Sequence, residues 1–262
     1  MKVLTKSDKD RDGFTMVELL TVIAIITILA VVATPAIQGL QKAGGFTKSV
    51  YDLADSLNLA RSYAVAQNTY VYVGLTEVDR TQSPAASPQQ SGFGRVVFAA
   101  VATKDGTSDY STSSTASGWD YSQTVGTSSG PGLGLVQVRP VQNFDFLHIA
   151  TSQFPNGTGS MARPTTSFDL PLATNPLTGF SLPLGTPLGG GKYNFTGNSA
   201  MVLTFNPQGG VLVNNQAYQG VEIDLQPAVS NSPPPTVTNV NEGNQAAVVI
   251  DGTTGAITVY RP

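Results

Sequence analysis

Apolar side chains fill positions 14–37 with Glu18 as the only charge, and beyond them the pattern changes period instead of stopping. A helix over that first run would be about 36 Å long at 1.5 Å per residue, enough to cross a bilayer. Farther on, Phe46, Val50, Leu53, Leu57, Ala60 and Ala64 recur at three- or four-residue spacing, while Lys48, Asp52, Asp55, Asn58 and Arg61 fall elsewhere. This spacing predicts an amphipathic helix over 38–68 with one stripe for packing on a sheet. Gly39 and the pair Gly44-Gly45 interrupt it. Glycine inside a helix costs about 1 kcal/mol relative to Ala, so a hinge or break is expected there. Asn68 is the expected stop, because Asn tolerates the left-handed conformation that ends helices.

After Asn68 the period drops to that of strands. Residues 70–73, 95–101 and 133–138 read as strands, and 144–149 alternates in part. Residues 203–210 and 248–259 each read as strand, glycine turn, strand. The expected fold class is α+β: a long N-terminal helix packed on a β-rich, mainly antiparallel domain over 69–262. Irregular tracts at 81–92, 103–132 and 151–192 interrupt the strands, and loops of such length are expected to bind something or to move. Residues 230–235, with three consecutive prolines, read as a stiff extended connector.

Composition narrows the picture. Charged residues are 12% of the 262, the net charge is −3, and cysteine is absent. The acidic balance gives no footprint for nucleic acid. Without cysteine the fold rests on burial, hydrogen bonds or a metal ion, and a domain of this length can bury a substantial core. Lys2, Lys6, Lys9 and Arg11 precede the apolar run. By the positive-inside rule they place the N-terminus in the cytoplasm and the β-rich domain across the membrane. A rival reading is an ordinary secretory signal peptide cleaved after Val31-Val32-Ala33. That reading leaves Glu18 unexplained.

Gly13, Phe14, Glu18 and Pro35, in these positions, resemble the N-terminal signature of type IV pilins and pseudopilins. The resemblance implies that a prepilin peptidase cuts between Gly13 and Phe14, removing leader 1–13. Phe14 is then N-methylated, and Glu18 pairs with the new terminal amine of a neighbouring subunit. Residues 14–37 would be a transmembrane helix and 38–68 its periplasmic continuation. Physically, a carboxylate and an ammonium in a low-dielectric setting attract far more strongly than in water, and each is costly alone, so the pair would fix one axial register. Residues 57–68 with Val71 and Val73, together with 203–210 and 248–259, resemble the GspH/FimT-type minor pseudopilins.

The two resemblances together imply a structural accessory subunit of a type II secretion or type IV pilus-like filament, stored in the inner membrane as a single-pass protein and partnered by lipid and other pilins. Alternatives are a major pilin of the filament shaft and a membrane-anchored binding module. No cofactor and no catalysis are expected. The lone His148, among Phe146, Leu147 and Ile149, reads as a packed core residue. The glycine run 189–191 lacks P-loop spacing and reads as a loop. Asp251 in Asp251-Gly252-Thr253-Thr254 is a weak calcium candidate, with a plain β-turn favoured. Trp119 and Tyr121 are either partner anchors or a local cluster.

Overall fold

The computed structural model describes residues 15–103, 106, 135–151, 154, 163–164, 168–169, 193, 200–213, 216–235 and 244–261, and for 32–43, 135, 168–169 and 200 it describes the backbone alone. It divides into two compact units, Met1–Gln41 and Lys42–Pro262. The expected features at Trp119, Tyr121 and 189–191, and most of the tracts 103–132 and 151–192, lie outside the described residues.

Helix α1 runs Met16–Gln67. It ends as the sequence predicts: Asn68 takes φ 50°, its N–H donates to the Val65 carbonyl, and the Thr69 N–H reaches back to the Ala64 carbonyl at 3.0 Å. These two bonds satisfy carbonyls that the last helical turn leaves open. The expected break at Gly39 and Gly44-Gly45 is not there, because the backbone stays helical through all three. Gly45 serves close packing instead. A Cβ built on it would lie 2.5 Å from the Phe146 ring, so the missing side chain is what lets the ring sit against the helix.

Eleven strands follow among the described residues: β1 (Val71–Asp79), β2 (Gly94–Thr103), β3 (Leu135–Asp145), β4 (Leu147–Ile149), β5 (Phe168–Asp169), β6 (Ala200–Phe205), β7 (Val211–Val213), β8 (Gln216–Ala217), β9 (Gly220–Pro227), β10 (Ala246–Asp251) and β11 (Ile257–Tyr260). One sheet has the order β3-β2-β1-β6-β7-β8, the other β11-β10-β9-β4, with β5 beside β9 as the parallel pair. The other pairings are antiparallel. The chain passes from the first sheet to the second at Phe146, which adopts φ 64°, an unusual conformation for a bulky residue. Gly45 lies against one side of its ring, and the Arg80 guanidinium sits 3.8 Å from the ring centroid.

All six residues of the helical stripe are buried, at 0–1% exposure. They share one core with Val71, Val73 and Leu75 of β1, Val96 and Phe98 of β2, Leu203 and Phe205 of β6, and Val221, Ile223, Leu225, Val248 and Ile250 of the second sheet. Ser49 Oγ donates to the Asp145 carbonyl at 2.6 Å, and Arg261 reaches Thr47 and stacks over Phe46, tying both the corner and the last strand to the helix. Residues 81–92 are braced from within. Thr81 N–H and Oγ donate to Asp79, the Gln89 amide donates to the Ser83 and Ala86 carbonyls, and Ser91 bridges to Val78. The connector after β9 is anchored too: Asn231 Oδ1 accepts from the Phe93 N–H, and Arg80 donates to the Val229 carbonyl.

Candidate functional site

At the start of α1, Thr15 occupies the position before the first helical residue, with Glu18 three residues on. The Glu18 N–H donates to Thr15 Oγ1 at 3.2 Å, and the Thr15 hydroxyl lies 3.4 Å from Glu18 Oε2. This is a Thr-x-x-Glu cap: one orphan N–H of the first turn is satisfied, and the carboxylate sits where the helix dipole favours negative charge. The Leu19 N–H to Thr15 carbonyl bond then opens the helical ladder. Gly13 and Phe14 lie outside the described residues, as does the side chain of Pro35, whose backbone is helical.

Every residue from 15 to 31 is exposed. Met16, Val17, Leu19, Leu20, Val22, Ile23, Ile25, Ile26, Ile28, Leu29 and Val31 range from 46% to 81%. At 100° per residue these positions occupy the whole circumference, so the apolar surface is a sleeve and not a stripe. The hydroxyls within it turn inward on the backbone, Thr21 to the Val17 carbonyl and Thr27 to the Ala24 carbonyl, each at 2.8 Å, which spares the surroundings any need to solvate them. Among the described residues no helix is long and apolar enough to cross a membrane; of the run 14–37, side chains are described for 15–31 only.

Segments 57–68, 203–210 and 248–259 meet at one place. Arg61, near the end of α1, donates from Nε to the Thr254 carbonyl in the β10–β11 turn at 2.6 Å. The β6–β7 turn joins them, since the Val211 N–H donates to the Gly252 carbonyl. Gly255, at φ 65°, packs so closely that an added Cβ would lie 1.9 Å from the Gly209 carbonyl oxygen and 3.0 Å from Arg61 Cδ. Asp251 belongs to this turn: its Oδ1 accepts from the N–H groups of Thr253 and Thr254 and from the Thr254 hydroxyl. Those bonds hold its carboxyl below the usual range. No group of three metal-ligating side chains occurs among the described residues.

Two buried polar sets are not visible in the sequence pattern. His148 is buried as expected, but it is paired: its Nδ1 lies 2.9 Å from both carboxylate oxygens of Glu77, on the other sheet, with the Phe93 ring edge-on beside it. Burial pushes the Glu77 carboxyl up, against the pull of His148 and the N–H groups of Gly94 and Ile149. On β9, Glu222, Asp224 and Gln226 alternate with the core residues Val221, Ile223 and Leu225, yet all three are buried on the opposite face. Arg163 Nη2 lies 2.8 Å from Glu222 Oε1, an ion contact without hydrogen-bond alignment. The same nitrogen donates to the Phe154 carbonyl, and Asp224 Oδ2 accepts the Phe154 N–H at 2.7 Å. Burial first, and the Glu222 charge second, push the Asp224 carboxyl up to about 9. Asp224 therefore carries a proton at neutral pH beside the Arg163–Glu222 contact. From the sequence, this alternation is indistinguishable from a strand with a solvated face.

The family model for the prokaryotic N-terminal methylation motif matches residues 8–34. That window contains Gly13, Phe14, the Thr15–Glu18 cap and the whole exposed apolar sleeve 15–31, so the N-terminal region is prepilin-like. The motif implies processing by a prepilin peptidase and assembly with other pilins. No curated protein and no solved structure matches the chain.

Proposed function

We propose that this chain is a prepilin-type pseudopilin, an accessory structural subunit of a type II secretion or type IV pilus-like filament. The observation that carries the reading is the methylation motif running directly into a helix that is apolar and exposed all round from residue 15 to 31. Such a sleeve is matched only by lipid or by other apolar helices. In the reading, the helix anchors the subunit in the inner membrane with residues 1–13 cytoplasmic and the β-rich unit outside. Assembly moves the helix from lipid into a bundle of like helices, where side-chain packing replaces lipid contacts. Glu18, already stationed in the first helical turn beside Thr15, then meets the methylated amine of Phe14 on a neighbouring copy or related subunit.

The choice of an accessory pseudopilin of GspH/FimT type rests on Arg61 and the two late turns, the three resembling segments, being joined by direct hydrogen bonds. The buried pairs Glu77–His148 and Glu222–Arg163 link strands and loops in the interior, which suits an architectural role. Mass spectrometry of the protein purified from cells with an active prepilin peptidase tests the reading. A chain beginning at N-methylated Phe14 is expected. A chain that keeps residues 1–13, or one that starts at Thr34, overturns it.

A further inference from the structure

The outer edge of β11 and the hollow beside it match each other chemically. We propose that together they form a strand-addition site for an extended basic segment of a partner protein, with Asp251 receiving a lysine or arginine side chain. Among the described residues β11 pairs with β10 alone. The Asp251 N–H donates to the Ala256 carbonyl, and hydrogen-bonded pairs alternate along an antiparallel ladder. The register Ile250↔Ile257 and Val248↔Val259 therefore turns the N–H and C=O groups of Ile257 and Val259 away from β10, toward the open edge. An added strand meets two donors and two acceptors there.

On the face of the sheet away from the α1 stripe, a cavity of about 310 Å³ is lined by Thr258 and Tyr260 of β11, Ala256 just before it, Val249 and Asp251 of β10, and Pro164. The described bonds to Asp251 all fall on Oδ1, which leaves Oδ2 for a visitor. Arg163, the cation nearest this wall in sequence, contacts Glu222, and among the described residues the lining holds a carboxylate and no cation. Strands lie about 4.8 Å apart, which puts an added strand about two spacings from the backbone of Asp251. A side chain opposite Ala256 crosses only a methyl group to reach the carboxylate. The long apolar stem and charged tip of Lys or Arg fit that path, with Thr258 and Val249 the next same-face neighbours along the two strands.

The test uses the full chain in mild detergent and three fluorescent seven-residue peptides of alternating Thr and Val, with Lys, norleucine or Glu at the centre, read by anisotropy. Saturable binding of the Lys peptide, at least tenfold tighter than the norleucine and Glu peptides, is expected. Asp251→Asn keeps the acceptor that holds the turn and should erase the Lys preference. A Lys peptide N-methylated on alternate amides cannot form the ladder and should not bind. Equal binding of the three peptides, an unchanged preference in Asp251→Asn, full binding of the methylated peptide, or no saturable binding at millimolar concentration would each overturn the proposal.

Discussion

The two ends of α1 are built from similar residues and treated oppositely. From 15 to 31 the apolar side chains lie all round the helix and all are exposed; from 46 to 64 the six that recur on one stripe are buried, while Tyr51 and Leu59, off the stripe, are exposed. The difference is periodicity, not hydrophobicity. A stripe can be satisfied by one sheet of the same chain, and here the strands of both sheets close over it. A sleeve cannot be satisfied that way, because no single face of a sheet surrounds a helix. Its partner must be lipid or several other helices. The hydrophobic pattern thus says where the partner of each half is found.

The largest expected effect separates the halves outright. Leu57 is fully buried in the stripe, so Leu57→Ala should cost about 2–5 kcal/mol in urea unfolding of the full chain in detergent, followed by circular dichroism of the sheets. Leu20, 54% exposed in the sleeve, should change the same midpoint by no more than about 0.5 kcal/mol when replaced by Ala. Equal losses at both sites would erase the distinction.

Burial also separates the stripe from one face of β9, which looks solvated in sequence and is covered in the fold. Asp224 has a folded pKa of about 9 against an ordinary 3.8, so the folded state holds a proton that the unfolded state releases. The stabilisation linked to that proton is complete below about pH 4, declines as pH rises, and is gone above about pH 9. Glu77 is shifted in the same direction. Unfolding midpoints should therefore fall from pH 5 to pH 9, and Asp224→Asn, which keeps an acceptor for the Phe154 N–H, should flatten the slope. A slope unchanged in that variant would show that Asp224 is ionised throughout.

Sequence made the helix legible because its determinants are local: period, the Asn68 stop and the onset of β1 lie within a few turns of one another. The late turns were legible for the same reason, through their glycines. The buried pairs were not, since Glu77 and His148 come from different sheets and Arg163 reaches Glu222 from outside β9. No local spacing announces such meetings. The Thr15–Glu18 cap is spelled out as Thr-x-x-Glu, yet the same carboxylate, lying at the mouth of an apolar run, points as strongly to a partner outside the chain as to one three residues away.

Gly44 and Gly45 provide the smallest and sharpest test, because the pair reads as one break in sequence and as two unlike positions in the fold. A Cβ on Gly44 meets nothing within 4 Å, whereas one on Gly45 meets Phe146 Cδ2 at 2.5 Å. Phe146 has little freedom to retreat, being held at φ 64° in the corner between the sheets with Arg80 over its ring. Gly45→Ala should cost about 1–3 kcal/mol by overpacking, and Gly44→Ala should gain up to about 1 kcal/mol from helix propensity alone. Thermal unfolding of the two variants side by side decides the matter. Stabilisation by both would mean that the corner yields and the glycines are merely tolerated; opposite signs mean that Gly45 is the seat on which the chain turns from one sheet to the other.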